Sequence, residues 1–259
     1  MKLIFIRHGD PDYKNNTVTQ KGKREAELLA NRVCKWNVTD FYTSPYGRAR
    51  DTIKPALEKM GRSDQTEEWL REFDVKITEP LSKKKSSVPW DFFPRYFFAQ
   101  KKLMSFDDWT KATVMKSGPV KERFEEVTSG FDKLLASYDY NRISKKVPVY
   151  NCLPHLSKEE ADCDHHLQAV QKNLDEKNLV FTCHLGVMFV IIGYLTGISP
   201  TVLQQGFFVA PTSVTVLGAE ERVPGEVIFR VQSLGDVRHL IDGGEVTSAS
   251  GFYGDVSQF

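Results

Sequence analysis

Cysteine is scarce: four residues in a chain of 259 do not make a disulfide framework. An excess of charge of one sign is also missing. Basic residues number 35 and acidic ones 34, for a net charge of +1. That balance argues against a nucleic-acid binder held by bulk electrostatics. Long apolar runs are absent. The longest, Val187 to Leu195, contains a glycine and a tyrosine and is too short to cross a bilayer. The chain starts directly in a strand-like segment, so no signal peptide is expected, and a reducing cytoplasm is the expected compartment. There is no internal repeat. What remains is an ordinary globular composition, 41% apolar and 27% charged, in a chain long enough to bury a full core.

Leu3 to Ile6 is a continuous apolar run, as expected of a strand buried on both faces. Thr19 suits the N-cap of a helix from about Gln20 to Cys34, with Ala26, Leu29, Ala30 and Val33 as its apolar stripe. Val38 to Thr43 reads as a second strand. Arg48 to Met60 reads as a second helix, closed by Gly61 and carrying a kink at Pro55. A short third strand is expected near Glu68 to Leu70. This alternation predicts an α/β sheet with parallel strands.

The pattern then breaks. Lys83-Lys84-Lys85 opens a basic aromatic stretch containing Trp90, Phe92, Phe93, Tyr96, Phe97, Phe98, Phe106 and Trp109. A helix resumes after Gly118-Pro119, and a polar segment from about Asn141 to Asn178 has no clear pattern. The strand Leu179 to Cys183 and the helix Gly186 to Leu195 restore the α/β rhythm. Thr212 to Leu217 and Val227 to Val231 predict a hairpin at a sheet edge.

Chemistry concentrates where apolar runs end. Arg7-His8-Gly9 follows the first strand, Arg48 opens the second helix, and His184-Leu185-Gly186 follows another strand. In open α/β sheets, ligands bind beyond the carboxyl ends of the strands. Free N–H groups at a helix start favour an anion there. Guanidinium groups clamp anionic oxygens in pairs, and a histidine can act as a covalent nucleophile. Two arginines and two histidines so placed predict a phosphoryl site, whose chemistry depends on positioning and electrostatics. A carboxylic acid must then protonate the leaving oxygen.

These residues also carry a resemblance to the histidine phosphatase superfamily, which includes phosphoglycerate mutases. It spans most of the chain outside the middle stretch. Arg7-His8-Gly9 is similar to the family's Arg-His-Gly signature, with His8 in the place of the phosphorylated histidine. Thr19-Gln20-Lys21-Gly22, Ser44-Pro45 with Arg48-Ala49 and Thr52, Trp69-Leu70-Arg71-Glu72, and His184 with Gly186 resemble its further motifs. Asp236 and His239-Leu240 resemble its closing motif, near the site but seldom chemical. The resemblance implies a three-layer α/β/α sandwich with a mainly parallel sheet, in one domain over residues 1–259. It leaves an inserted helical cap at about 79–175.

The implied roles are His8, Glu72 and His184 in catalysis, with Arg7, Arg48, His184 and the Leu185 N–H on the phosphate. Neither metal nor cofactor is implied. Glu67, Glu68 and Glu79 stay open as alternative acids, and Arg50 is expected at the surface. Where the family commonly has glutamine this chain has Glu25, for which a surface position is expected. No aspartate follows His184, which disfavours the acid-phosphatase branch. Asp10-Pro11-Asp12-Tyr13-Lys14 departs from the mutase continuation Glu-Ser-x-Trp-Asn and favours a phosphatase.

The expected function is hydrolysis of a small phosphorylated metabolite through a phosphohistidine, releasing inorganic phosphate. A phosphoglycerate mutase and an inactive phospho-ligand binding protein are the alternatives. No nucleic-acid or membrane partner is expected, and the oligomeric state stays open, a homodimer included. Cys152, His155, Cys163, His165 and His166 are zinc-ligand types, but their spacing fits no common finger and a solvated loop is expected. The aromatic stretch is expected to cap the mouth of the site.

Overall fold

The computed structural model describes residues 1–78, 81, 88–90, 92–153 and 177–250. The first half runs β1 (Lys2–Arg7), β2 (Pro11–Asp12), β3 (Thr17–Val18), α1 (Gln20–Val33), β4 (Asp40–Thr43), α2 (Gly47–Met60) and β5 (Gln65–Thr66). Two short helices follow, α3 (Pro94–Ala99) and α4 (Lys101–Met104), and then the long α5 (Val120–Ala136). The rest is β6 (Asn141–Ser144), β7 (Val147–Asn151), β8 (Asn178–Cys183), α6 (Leu185–Thr196), α7 (Pro200–Gly206), β9 (Val214–Val223), β10 (Glu226–Asp236) and α8 (Arg238–Asp242).

Eight strands form one sheet in the order β5-β4-β8-β1-β9-β10-β7-β6. The strands from β5 to β1 pair in parallel and carry the site; β9, β10, β7 and β6 extend the sheet antiparallel. Alternation along β1 builds three layers. Leu3 and Phe5 join the core on one face, with α5, α6 and the aromatic stretch. Ile4 and Ile6 join the core on the other, with α1 and α2. The predicted α/β/α sandwich is therefore present.

Local signals account for the helix ends. Thr19 Oγ1 accepts the Gly22 N–H at 3.1 Å and caps α1. Gly61, at φ 60°, closes α2 in the left-handed conformation. α2 passes Pro55 as one helix of 14 residues.

Other expectations need correction. Glu68–Leu70 is a single tight turn, and the third strand is the two-residue β5 just before it. The β9–β10 hairpin is interior, because β10 also pairs with β7. The edge comes instead from β6 and β7, in the segment without a clear pattern; of the residues in these two strands, Tyr150 alone is fully buried. Much of the stretch read as insertion is built into the sandwich. Phe131 of α5 lies on Phe181 of β8, ring centroids 5.9 Å apart. Lys83–Lys85, Glu79, His155, Cys163, His165 and His166 lie outside the described residues. Among the described residues no three potential ligands form a metal-binding group, and no helix is long and apolar enough to cross a membrane.

Candidate active site

Sheet register assembles the site. Arg7 pairs with Cys183 across β1 and β8, and Thr43 with Thr182 across β4 and β8, so the three strands end level. The residues after them, His8, Ser44 and His184, are therefore neighbours. His8 is buried, and its ring lies 5.1 Å from that of His184, centroid to centroid. His8 Nδ1 lies 2.8 Å from Gly9 O. A carbonyl only accepts, so Nδ1 carries the proton and Nε2 keeps the lone pair. Burial, then the Arg7 charge, lowers the His8 pKa to about 3, so the ring is neutral at pH 7.

The cations come from separate elements. The Arg7 side chain is buried; Nη1 donates to Val209 O at 2.7 Å, and the guanidinium lies over Phe208. Arg48, in the first turn of α2, stacks 4.8 Å from the Tyr46 ring and donates to Asn16 Oδ1 at 3.2 Å. His184 Nε2 meets Ser44 Oγ at 2.7 Å. With Ser44 donating, the His184 proton sits on Nδ1. Burial, and then His8, Arg48 and Arg7, hold His184 well below the ordinary histidine range. Arg7 Nε, Arg48 Nε and His184 Nδ1 are buried without a hydrogen-bond partner among the described residues. Unmet donors in this setting favour an anion. Leu185 opens α6, directly after His184.

Glu72 reaches the same place from the loop after β5. Its Oε1 accepts from Phe73 N at 2.7 Å and Val187 N at 3.0 Å, and Oε2 from Gly186 N at 3.4 Å. The carboxyl thus sits at the N-terminus of α6. Burial raises its pKa, and the three N–H donors and Arg48 oppose the rise. A Cβ on Gly186 would fall 2.6 Å from Glu72 Oε1 and 2.8 Å from the Trp90 ring, so the approach requires glycine. The other acids are placed differently: Glu67 accepts from Trp69 Nε1 at 2.7 Å, and Glu68 is exposed. Arg50 is exposed, as expected. Tyr13, Asn16, Tyr46, Arg48, Glu72, Asp74 and Trp90 line a cavity of about 450 Å³.

A family model, the histidine phosphatase superfamily (branch 1), matches residues 3–135. The chain belongs to the histidine phosphatase superfamily. The 2,3-bisphosphoglycerate-dependent phosphoglycerate mutase of Thermoplasma acidophilum is 33% identical over 86 residues, 29% of this chain and 43% of that one. This chain thus spans about two fifths of the curated relatives it matches. Among solved structures, a mycobacterial glucosyl-3-phosphoglycerate phosphatase with inorganic phosphate shares the fold at TM-score 0.57 and 15% identity. That match covers 92% of this chain and 98% of that one. Phosphoserine phosphatase of Entamoeba histolytica matches at TM-score 0.51 and 18% identity, with the same coverage.

In this member of the superfamily the closing motif is a brace. Arg32 pairs with Asp236 through two hydrogen bonds of 3.1 and 3.0 Å. His239 Nε2 lies 3.2 Å from Thr212 Oγ1, whose proton goes to Pro211 O at 2.7 Å. Thr212 has φ 56°, and its N–H is directed at Arg7 O at 3.0 Å and His8 O at 3.3 Å. The family motif thus acts on the site through backbone.

The surface position expected for Glu25 is wrong. Glu25 is fully buried, and its Oε2 accepts the Asp10 N–H at 2.8 Å. A helical stripe of apolar residues leaves a polar core position invisible. Sequence reasoning also missed Ser44 as a partner of His184, and Tyr13, Asn16 and Asp74 at the mouth. Only Asp12-Tyr13 beside a glycine-poor turn, and the strand-end place of Ser44, could have drawn notice.

Proposed function

We propose that the protein is a phosphatase that hydrolyses a small phosphomonoester through a phosphohistidine. The observation that carries this reading is the His8 tautomer. With Nδ1–H held by Gly9 O, a neutral His8 has its Nε2 lone pair free for in-line attack on phosphorus. The P–N bond forms as the P–O bond to the alcohol breaks. Arg7, Arg48, His184 and the Leu185 N–H hold the equatorial oxygens, where charge spreads in the transition state. Glu72 gives its proton to the departing alkoxide. The resulting carboxylate then takes a proton from water, which attacks the phosphohistidine and releases inorganic phosphate. A bound dianion adds to the burial that already raises Glu72, which keeps the acid protonated when it is needed.

A mutase returns the phosphoryl group to a second hydroxyl. The named sequence relatives favour that reading. The mouth favours hydrolysis. Besides Arg48, already committed to the phosphate, and Glu72, the protonated acid, its described charged group is Asp74, which repels a carboxylate or second phosphate on the leaving group. Trp90, which lines the cavity and bonds through its carbonyl to Gln205, brings the aromatic stretch to the mouth as a cap wall.

The test is His8→Ala with para-nitrophenyl phosphate, beside trapping of labelled enzyme. Wild type should release phosphate and hold an acid-labile label, and the variant should do neither. Turnover by His8→Ala would overturn the mechanism. Label with transfer to a second alcohol and no phosphate release would establish the mutase. An unlabelled wild type that binds phosphate without turnover would leave a binding protein.

A further inference from the structure

Arg123 of α5 is a buried guanidinium outside every motif of the site. Its Nη2 donates to two carbonyls, Trp69 O at 3.0 Å and Arg71 O at 2.6 Å. Its Nη1 pairs with Glu126 Oε2 at 3.0 Å, and Glu126 also binds Arg71 through Arg71 Nη2 at 2.7 Å. The two carbonyls belong to the turn that runs directly into Glu72. α5 touches this turn a second time. Gly130 lies seven residues after Arg123, on the same helix face, and the Trp69 ring packs so closely there that a Cβ would collide with it.

A buried arginine is costly unless its hydrogens are used. Here Nη2 donates to two backbone carbonyls of one turn and Nη1 lies in an ion pair with Glu126, while Nε and Nη1 make no hydrogen bond among the described residues. The turn is anchored by the buried Trp69 and Leu70, but no strand ladder fixes its backbone. It follows a two-residue strand and consists of three residues. Glu72 must nevertheless hold its carboxyl on Gly186 and Val187, 114 and 115 residues away in sequence.

We propose that Arg123 is a positioning residue for the acid. It fixes the Trp69–Arg71 backbone so that the Glu72 carboxyl sits between the α6 N-terminus and the leaving oxygen. The planar fork is what the task needs. One guanidinium spans two carbonyls and a carboxylate, whereas a lysine ammonium makes point contacts without that geometry. The inference rests on the reading of Glu72 as proton donor.

The leaving group supplies the test. Para-nitrophenolate departs without a proton, and an alkoxide does not. Arg123→Gln and Arg123→Lys are compared with wild type and Glu72→Gln on phenyl and alkyl phosphates of rising leaving-group pKa. A misplaced acid should lower kcat/KM for alkyl esters on the order of 10²-fold, and for para-nitrophenyl phosphate by less than about 5-fold. The double variant Arg123→Gln/Glu72→Gln should be no slower on alkyl esters than Glu72→Gln alone. Equal losses on all esters, no loss, or additivity with Glu72→Gln would overturn the proposal. Where Arg123→Gln does not fold, Arg123→Lys decides by the same pattern. If Glu72→Gln itself shows no dependence on the leaving group, the acid assignment fails first, and that outcome is distinct.

Discussion

Glu72 Oε1 accepts the backbone N–H of Val187 at 3.0 Å, which anchors the carboxyl to the first turn of the helix that begins at Leu185, directly after His184. The acid and the second histidine are therefore set by one helix start. A shift of α6 moves both together.

Gly186 is the point where that relationship is tightest. Gly186→Ala places a methyl 2.6 Å from Glu72 Oε1, so the carboxyl must move. The variant should fold, and its kcat for an alkyl phosphate should fall on the order of 10²-fold, as expected for displacement of a catalytic group by about 1 Å. Circular dichroism with steady-state kinetics checks this. A variant of normal activity would refute the tight coupling of the acid to this helix start.

The pH profile should be set by Glu72 on its alkaline side. His8, with a pKa of about 3, stays neutral above about pH 4 and gives no limb between pH 5 and 8. Glu72 must be protonated, and its pKa is raised, so kcat/KM for an alkyl ester should fall as pH rises through that value. The limb should vanish in Glu72→Gln and be weak for para-nitrophenyl phosphate. Profiles for the two substrates, measured side by side, decide it.

Glu25 links stability to pH. Burial raises its pKa to about 7 from 4.5, so the folded state holds a proton that the unfolded chain releases between these values. The stabilisation is fully present below pH 4.5 and lost as pH rises through about 7. At about 1.4 kcal/mol per unit the swing is at most about 3.5 kcal/mol. Glu25→Gln keeps the acceptor for the Asp10 N–H and removes the ionisation. It should gain stability over wild type at pH 8 and gain little at pH 4.5. Urea melts at both pH values measure the difference; equal differences at both would refute the linkage.

Asp74 should discriminate by charge. Asp74→Asn removes a carboxylate from the mouth, so kcat/KM for a phosphate ester with an anionic tail should rise about 5-fold, against less than 2-fold for a neutral ester. The gain should shrink at 0.5 M salt. A gain common to both esters would point to opening of the cavity instead of charge.

The brace behind Arg7 can be cut without touching phosphate. His239→Ala removes the partner of Thr212, whose unusual backbone carries the N–H aimed at Arg7 and His8. Stability should drop by about 1–2 kcal/mol, the usual range for a lost buried hydrogen bond with some packing. KM for phosphate esters should rise as Arg7 loosens. Thermal melts and phosphate inhibition constants give both readouts.

Several elements were legible because their signals are local. An apolar run with a histidine at its end reports a buried strand and its exit point, as for His8 and His184. Thr19 with Gly22 reports a helix start through a hydrogen bond three residues long. The β6–β7 edge was illegible because one face of each strand is wet, so only Tyr150 marks it. The two-residue β5 is too short for any periodicity.

By itself, then, the chain determined the kinds of groups at the strand ends, the α/β class and the family. Those depend on backbone direction and neighbours a few residues apart. Tertiary structure alone decided the rest: the level ends of β1, β4 and β8, the tautomer of His8, the seat of Glu72 on α6, the burial of Glu25 and the grip of Arg123. The His8 tautomer rests on local backbone geometry at Gly9; each of the others joins residues far apart in the chain, where packing of two layers on a sheet sets the distance. No spacing in the sequence carries that information.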